Sequence, residues 1–290
     1  MPDPVTRTLG VPGATLTYDV RGDLADREQP VLLMIGSPMG ASGFPTLASH
    51  FEDRTVVTYD PRGVERSVRS DGAGELSPEQ HADDLVAVIE ALDAGPVDLF
   101  ASSGGAVNAL ALMAKRPDLV RRLVAHEPPL AGLLPDSAGA LAACEDIYQT
   151  YQRDGMGAGM AKFIAITSFE GEFTDEYVKQ PAPDPAMFGL PTEDDGSRDD
   201  ALLGQNLRGC TSYQPDVEAL GKSADRIVVA VGEESNTQLA RRGGEAIAGR
   251  LGLTPVVFPS NHGGFLGNEY GMPGKPAEFA AKLREVLAVP

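Results

Sequence analysis

A chain of 290 residues with 42% hydrophobic content and no Trp fits one large globular domain carrying an insertion, being too long for a minimal fold and short for two full ones. Its formal net charge of −18 argues against nucleic acid or an anionic membrane as a partner, because an acidic surface repels both. Two cysteines, Cys144 and Cys210, are too few for a disulfide framework and suit a reducing compartment. With no apolar signal core in "MPDPVTRTLG" and no apolar run approaching about 18 residues, the expected location is the cytoplasm.

The first half alternates strand and helix signals. "ATLTYDVRG" (Ala14–Gly22) alternates like a strand and ends in a turn. "PVLLMIGSP" (Pro30–Pro38) is a short apolar run closed by Gly, Ser and Pro, the pattern of a buried strand, and "RTVVTYDPRG" (Arg54–Gly63) repeats it. "SPEQHADDLVAVIEALDAG" opens a helix: Ser77 caps, Pro78 suits the first turn, Gln80 takes the capping-box position, and Gly95 stops it. "PVDLFAS" and "VRRLVAHEPP" (Val120–Pro129) are strands flanking the helix "AVNALALMAKRPDLV". Strands separated by helices of this length predict an α/β fold, a mostly parallel twisted sheet with helices on both faces.

From about Leu130 to Ala224 helical segments dominate, interrupted by the Pro- and Asp-rich "QPAPDPAMFGLPTEDDGSRDD", which reads as a mobile loop. The strand pattern resumes at "RIVVAVG" (Arg226–Gly232), followed by the helix "NTQLARRGGEAIAGRLG", the strand "TPVVFPS" and a last helix "KPAEFAAKLREVL". The expected organisation is a core of residues 1–129 and 225–290 and a helical cap of residues 130–224.

Chemistry concentrates in "DLFASSGGAV" (Asp98–Val107). A P-loop would need a Lys after its last glycine, and a dinucleotide fingerprint three spaced glycines after the first strand; neither is present. A nucleophile elbow between strand and helix fits, and it requires small residues two before and two after the nucleophile. Ser103 has Ala101 and Gly105 there, whereas Ser102 would have Phe100, whose ring collides with the turn. Ser103 is therefore the candidate nucleophile, with the Gly104 N–H beside it. Of the four histidines, His262 in "PSNHGGF" follows the last strand signal and can reach the elbow as its base. His50 and His81 read as surface residues.

Taken together, the elbow at Ala101–Gly105, the "GSP" turn after the third strand, "YDPRG" after the fourth and the turn at His262 resemble the α/β-hydrolase fold family. The resemblance is to its serine-nucleophile branch with a helical cap after the sixth strand, and it covers nearly the whole chain. It implies that Ser37, after Gly36, supplies the second oxyanion-hole N–H. Ile35 stands where the family commonly has His. The family's usual acid position, four residues into the turn after "RIVVAVG", is Ser235, which cannot hold an imidazolium by charge. Glu127, at the end of the sixth strand, matches the place where certain haloalkane dehalogenases carry their acid, and is the favoured triad acid; Glu234 is the alternative. His126 points to the other side of the strand, as a structural residue or at the pocket rim.

The implied function is a serine hydrolase, needing no cofactor and no metal, that cleaves an ester, thioester or lactone of a mostly apolar small molecule. Met39, Met156, Met160, Phe163 and Phe188 are candidate pocket residues. Alternatives on the same triad are C–C bond hydrolysis or acyl transfer and cyclisation; a non-enzymatic alternative is a degenerate ligand-binding homologue. Epoxide hydrolase and dehalogenase activity would need Asp where Ser103 stands. The sequence leaves the oligomeric state unknown.

Overall fold

A computed structural model describes residues 3–26, 28–72 and 74–289. One nine-stranded sheet organises the chain. Its strands are β1 (Val5–Val11), β2 (Ala14–Arg21), β3 (Leu32–Ile35), β4 (Val56–Asp60), the two-residue β5 (Val68–Arg69), β6 (Val97–Ser102), β7 (Val120–His126), β8 (Ile227–Gly232) and β9 (Val256–Phe258). The spatial order is β1-β2-β4-β3-β6-β7-β8-β9, with β5 pairing β2. β1, β2 and β5 make the antiparallel pairings at one side, and every pair from β4–β3 to β8–β9 is parallel. β1 was not anticipated from sequence: it is mostly exposed, so it has no apolar alternation to read.

The helices are α1 (Pro45–Ser49), α2 (Pro78–Leu92), α3 (Gly104–Lys115), α4 (Ser137–Asp154), α5 (Met156–Ser168), α6 (Asp175–Val178), α7 (Leu207–Ser212), α8 (Val217–Gly221), α9 (Leu239–Leu251) and α10 (Pro276–Leu287). None among the described residues is long and apolar enough to cross a membrane. The start of α2 follows the sequence: Ser77 Oγ accepts the Gln80 N–H at 3.3 Å. Its end differs, because Asp93 takes the left-handed cap conformation (φ 47°) two residues before Gly95.

Alternation along the strands divides the core. Ala101, Leu99 and Val97 of β6 join α2, α3 and α9 in one cluster, while Phe100 faces the opposite side with Phe44, Phe258, Phe265 and Phe279, under α1 and α10. All six residues of β6 are buried, as a parallel strand covered on both faces must be. Among the described residues, the stretch between β7 and β8 is helices and loops apart from a single bridge of Glu170 to Gln238, and a third cluster joins Ile147, Tyr151, Phe173, Leu203 and Leu207 to Leu239 of α9. Leu220, on α8, packs instead with the main core. The Pro/Asp-rich stretch is an irregular loop with one 3-10 turn at Pro185–Phe188. Arg198 ties its far end to α4, reaching the Gln152 carbonyl (3.1 Å) and standing over the Tyr151 ring (5.5 Å).

Candidate active site

Ser103 joins β6 to α3 with φ 57° and ψ −130°. For a non-glycine residue this conformation costs about 1–3 kcal/mol and persists only where the surroundings enforce it. They do so here: the Ser103 N–H donates to the His126 carbonyl of the neighbouring strand at 2.9 Å. The flanking small residues are needed as the sequence argued. Ala101 lies beneath α3 in the same cluster as Ala106 and Val107, whereas Phe100 is on the other face of the sheet. A Cβ on Gly105 would sit 2.9 Å from Gly36 Cα and from the Ile35 carbonyl oxygen, both backbone. Gly105→Ala is therefore expected to destabilise the fold by about 1–3 kcal/mol through overpacking, read as a lowered thermal midpoint. A variant as stable as the parent would show that β3 and α3 can separate freely.

Gly104 backs onto the turn that carries Ser37: a Cβ there would lie 2.6 Å from the Ser37 carbonyl oxygen and 3.3 Å from Ser37 Cβ. As the first residue of α3, Gly104 has an N–H with no intrahelical acceptor. A residue the sequence reading passed over holds the Ser37 turn. Asp60, fully buried at the end of β4, accepts the Ala41 N–H at 2.8 Å and the Arg66 Nε–H at 2.6 Å. The "YDPRG" segment carried that signal, and its Arg62 is likewise structural, forking onto Asp84 of α2 at 2.9 and 2.7 Å.

Register places the next two groups. Ser102 of β6 pairs with His126 of β7, so Ser103 and Glu127 are the first residues beyond adjacent strand ends. Glu127 also has a positive φ (47°), and its N–H donates to the Ala230 carbonyl at 2.9 Å. Its carboxylate is fully buried and doubly bound: Oε2 lies 2.7 Å from His262 Nδ1, and Oε1 accepts the Gly232 N–H at 2.8 Å. Burial alone would raise this carboxyl pKa; the hydrogen bond to His262, the nearby imidazoles and the Gly232 N–H overcome it and hold the group at about 2. The carboxylate is thus ionised at neutral pH and directed at the ring. The His262 side chain is 40% exposed, on the loop that follows β9.

Glu234, the alternative acid, lies elsewhere: its carboxylate pairs with Lys275 Nζ at 2.6 Å on the surface. Ser235 is fully buried inside the turn after β8, and its Oγ has no hydrogen-bond partner.

His126 is also fully buried. Its Nδ1 lies 3.0 Å from Ser102 Oγ, and its ring stacks on that of His262 with centroids 5.9 Å apart at 23°. His81 corrects the surface reading: it is 2% exposed, with Nε2 2.6 Å from Asn206 Oδ1 at the head of α7. The helical segment between β7 and β8 folds over that turn of α2, a contact spanning 125 positions that no local pattern reveals.

The pocket candidates separate. Met39 packs on Gly36 and Gly43 in the Ser37 turn. Met156, Met160 and Phe163 are partly buried against the third cluster. Phe188 takes no part in it and is 40% exposed on the 3-10 turn beside Met187 at 77%. Cys210 of α7 reaches the elbow itself, its Sγ 3.3 Å from the position of a Gly104 Cβ. A separate cavity of about 290 Å³ lies among α4, α5 and α6, walled by Ile147, Lys162, Phe169 and Tyr177.

Comparison with known proteins agrees with this architecture. The model of the alpha/beta hydrolase fold matches residues 29–161. The uncharacterized hydrolase YraK of Bacillus subtilis is 29% identical over 286 residues, covering 97% of this chain and 95% of its own length. A thermophilic esterase from Thermogutta terrifontis superposes with a TM-score of 0.66 at 21% identity, over 99% of this chain and 98% of that one. The enol-lactonase from Burkholderia xenovorans does so with a TM-score of 0.63 at 16% identity, over 98% and 100%. Residues 29–161 thus match the α/β-hydrolase family model, and the chain as a whole has the α/β-hydrolase fold.

Proposed function

We propose that this protein is a serine hydrolase that cleaves an ester, thioester or lactone of a mostly apolar small molecule through an acyl-enzyme on Ser103. The observation that carries the reading is the buried Glu127 carboxylate, bound to His262 Nδ1 at 2.7 Å, at the strand end next to the one from which Ser103 leaves in a strained strand-to-helix turn. Nδ1–H donation to Glu127 fixes the His262 tautomer and leaves Nε2 free to act as base.

In this mechanism His262 takes the hydroxyl proton as Ser103 Oγ attacks the substrate carbonyl. The oxyanion of the tetrahedral intermediate accepts from the Gly104 and Ser37 N–H groups, which develop their full value only as negative charge forms. The imidazolium, stabilised by Glu127, gives its proton to the leaving alcohol or thiol, or to the ring oxygen of a lactone. Water then attacks the acyl-enzyme with His262 again as base, restoring Ser103.

Residues 130–224 act in this reading as a cap. The approach of Cys210 to Gly104 supports it, since it sets one of these helices against the elbow. Met39, Met156, Met160 and Phe163 then favour an apolar acyl or alcohol group, with methionines giving an adaptable wall. The net charge of −18 disfavours strongly anionic substrates.

Incubation with a fluorophosphonate tests the reading. The expected result is one mass adduct on the peptide bearing Ser103, absent from Ser103→Ala. No adduct, together with no turnover of short p-nitrophenyl esters, would overturn it.

A further inference from the structure

His126 touches the Ser102–Ser103 turn and the His262 ring and has no role in the mechanism above. Its backbone carbonyl accepts the Ser103 N–H at 2.9 Å. Its Nδ1 is bound to Ser102 Oγ at 3.0 Å, one residue before the nucleophile. Its neighbour in sequence is Glu127, and its ring stacks on His262.

The far side of the ring is closed by phenylalanines. Phe279 and Phe265 stand edge-on at 5.3 and 6.1 Å, with Phe100 and Phe258 at 6.1 and 6.3 Å. In this box Nε2 is buried without a hydrogen-bond partner. A second nitrogen left unsatisfied costs free energy, and a plain aromatic ring would fill the same space without that cost. The arrangement therefore favours a side chain that both packs as a ring and anchors Ser102.

We infer that His126 is a positioning residue for catalysis, a neutral aromatic floor that fixes the plane of the His262 ring and favours its charged form during the reaction. The inference rests on the triad of Ser103, His262 and Glu127. Its physical basis is the attraction of a cation for an aromatic face within about 6 Å, in the geometry these two rings adopt. The floor must itself stay uncharged. The titratable groups acting on it among the described residues are Glu127 and His262; four phenylalanines pack around its ring and the Ser102 hydroxyl binds its Nδ1. Burial in that box keeps it neutral down to about 4.

Three variants test this in the full-length protein, with folding checked by circular dichroism. His126→Leu and His126→Asn remove the ring, and Asn can still bind Ser102. His126→Phe keeps the ring and loses the bond. For p-nitrophenyl ester hydrolysis the two ringless variants should lose about 10-fold to 100-fold in kcat through misalignment, with KM little changed. The acid limb of their kcat/KM profile should move to lower pH by about half a unit, the loss of an exposed-to-buried cation–aromatic contact. His126→Phe should recover most of kcat and restore the limb.

The inference is overturned if a folded ringless variant keeps the parent's kcat and pH profile. It is equally overturned if the Phe variant falls as far as they do, because then the ring is not the operative feature. Should Leu fail to fold, the comparison of Asn with Phe decides alone. Failure of the triad itself is distinguishable, since the parent protein would then show no fluorophosphonate adduct on Ser103.

Discussion

Glu127→Gln is expected to lower kcat for ester hydrolysis by about 10⁴-fold, the loss seen when the carboxylate of a Ser-His-Asp triad becomes an amide, with KM nearly unchanged. The side chain would still fit. Its remaining oxygen can accept the Gly232 N–H, now held at 2.8 Å. What disappears is the negative charge opposite His262 Nδ1, and an amide NH₂ directed there stabilises the wrong tautomer. Glu234→Gln is the matched control. Its partner is Lys275 on the surface, so turnover should stay at the parent level. Steady-state kinetics on both variants settle the assignment. Full activity in Glu127→Gln with loss in Glu234→Gln would mean that the turn after β8 is rebuilt when the enzyme works.

Stability should fall steeply between pH 6.5 and about 4, and the cause should be buried histidine. His126 is held neutral down to about 4, against 6.5 for the free side chain, chiefly by burial. In that window the unfolded chain binds a proton that the folded one refuses. Stability therefore declines as pH falls, by about 3 kcal/mol from this residue at the lower end. His81, also buried, is displaced in the same direction, only partly offset by its bond to Asn206. Glu127 takes over below this window. Its folded value of about 2 lies under the ordinary 4.5, so its contribution is present above 4.5 and is lost as pH drops toward 2. Urea unfolding at a series of pH values measures the effect. His126→Phe should flatten the upper part of the decline, and an unchanged slope in that variant would assign the acid sensitivity elsewhere.

Much of this molecule was legible because its determinants are local. The elbow follows from sterics within five residues: a strand puts Phe100 and Ala101 on opposite faces, and only Ala101 can lie under the helix that Gly105 lets approach β3. The buried strands could be read from short apolar runs between turn residues, and α2 from Ser77, Pro78 and Gln80. β1 escaped because an exposed antiparallel edge strand buries too little to leave an apolar pattern.

The proposed triad acid was another matter. Sequence favoured Glu127, named Glu234 as the alternative and left other residues open, and could not measure which carboxylate faces His262. Glu127 and His262 are 135 positions apart, and their meeting depends on the β6–β7–β8 register and on the path of the loop after β9. The same reason explains His81, buried by a residue 125 positions away, and Phe188, an aromatic residue suited to a pocket wall yet left on an exposed turn. It explains His126 too. Strand alternation put its side chain on the other side of the strand, but only the packed structure set it against Ser102 and the His262 ring. Backbone sterics and burial pattern are written in neighbouring residues, so the sequence determined the fold and the tight strand-to-helix turn at Ser103. Contacts between distant loops depend on how the whole sheet is assembled, so the tertiary structure alone decided what surrounds the histidine.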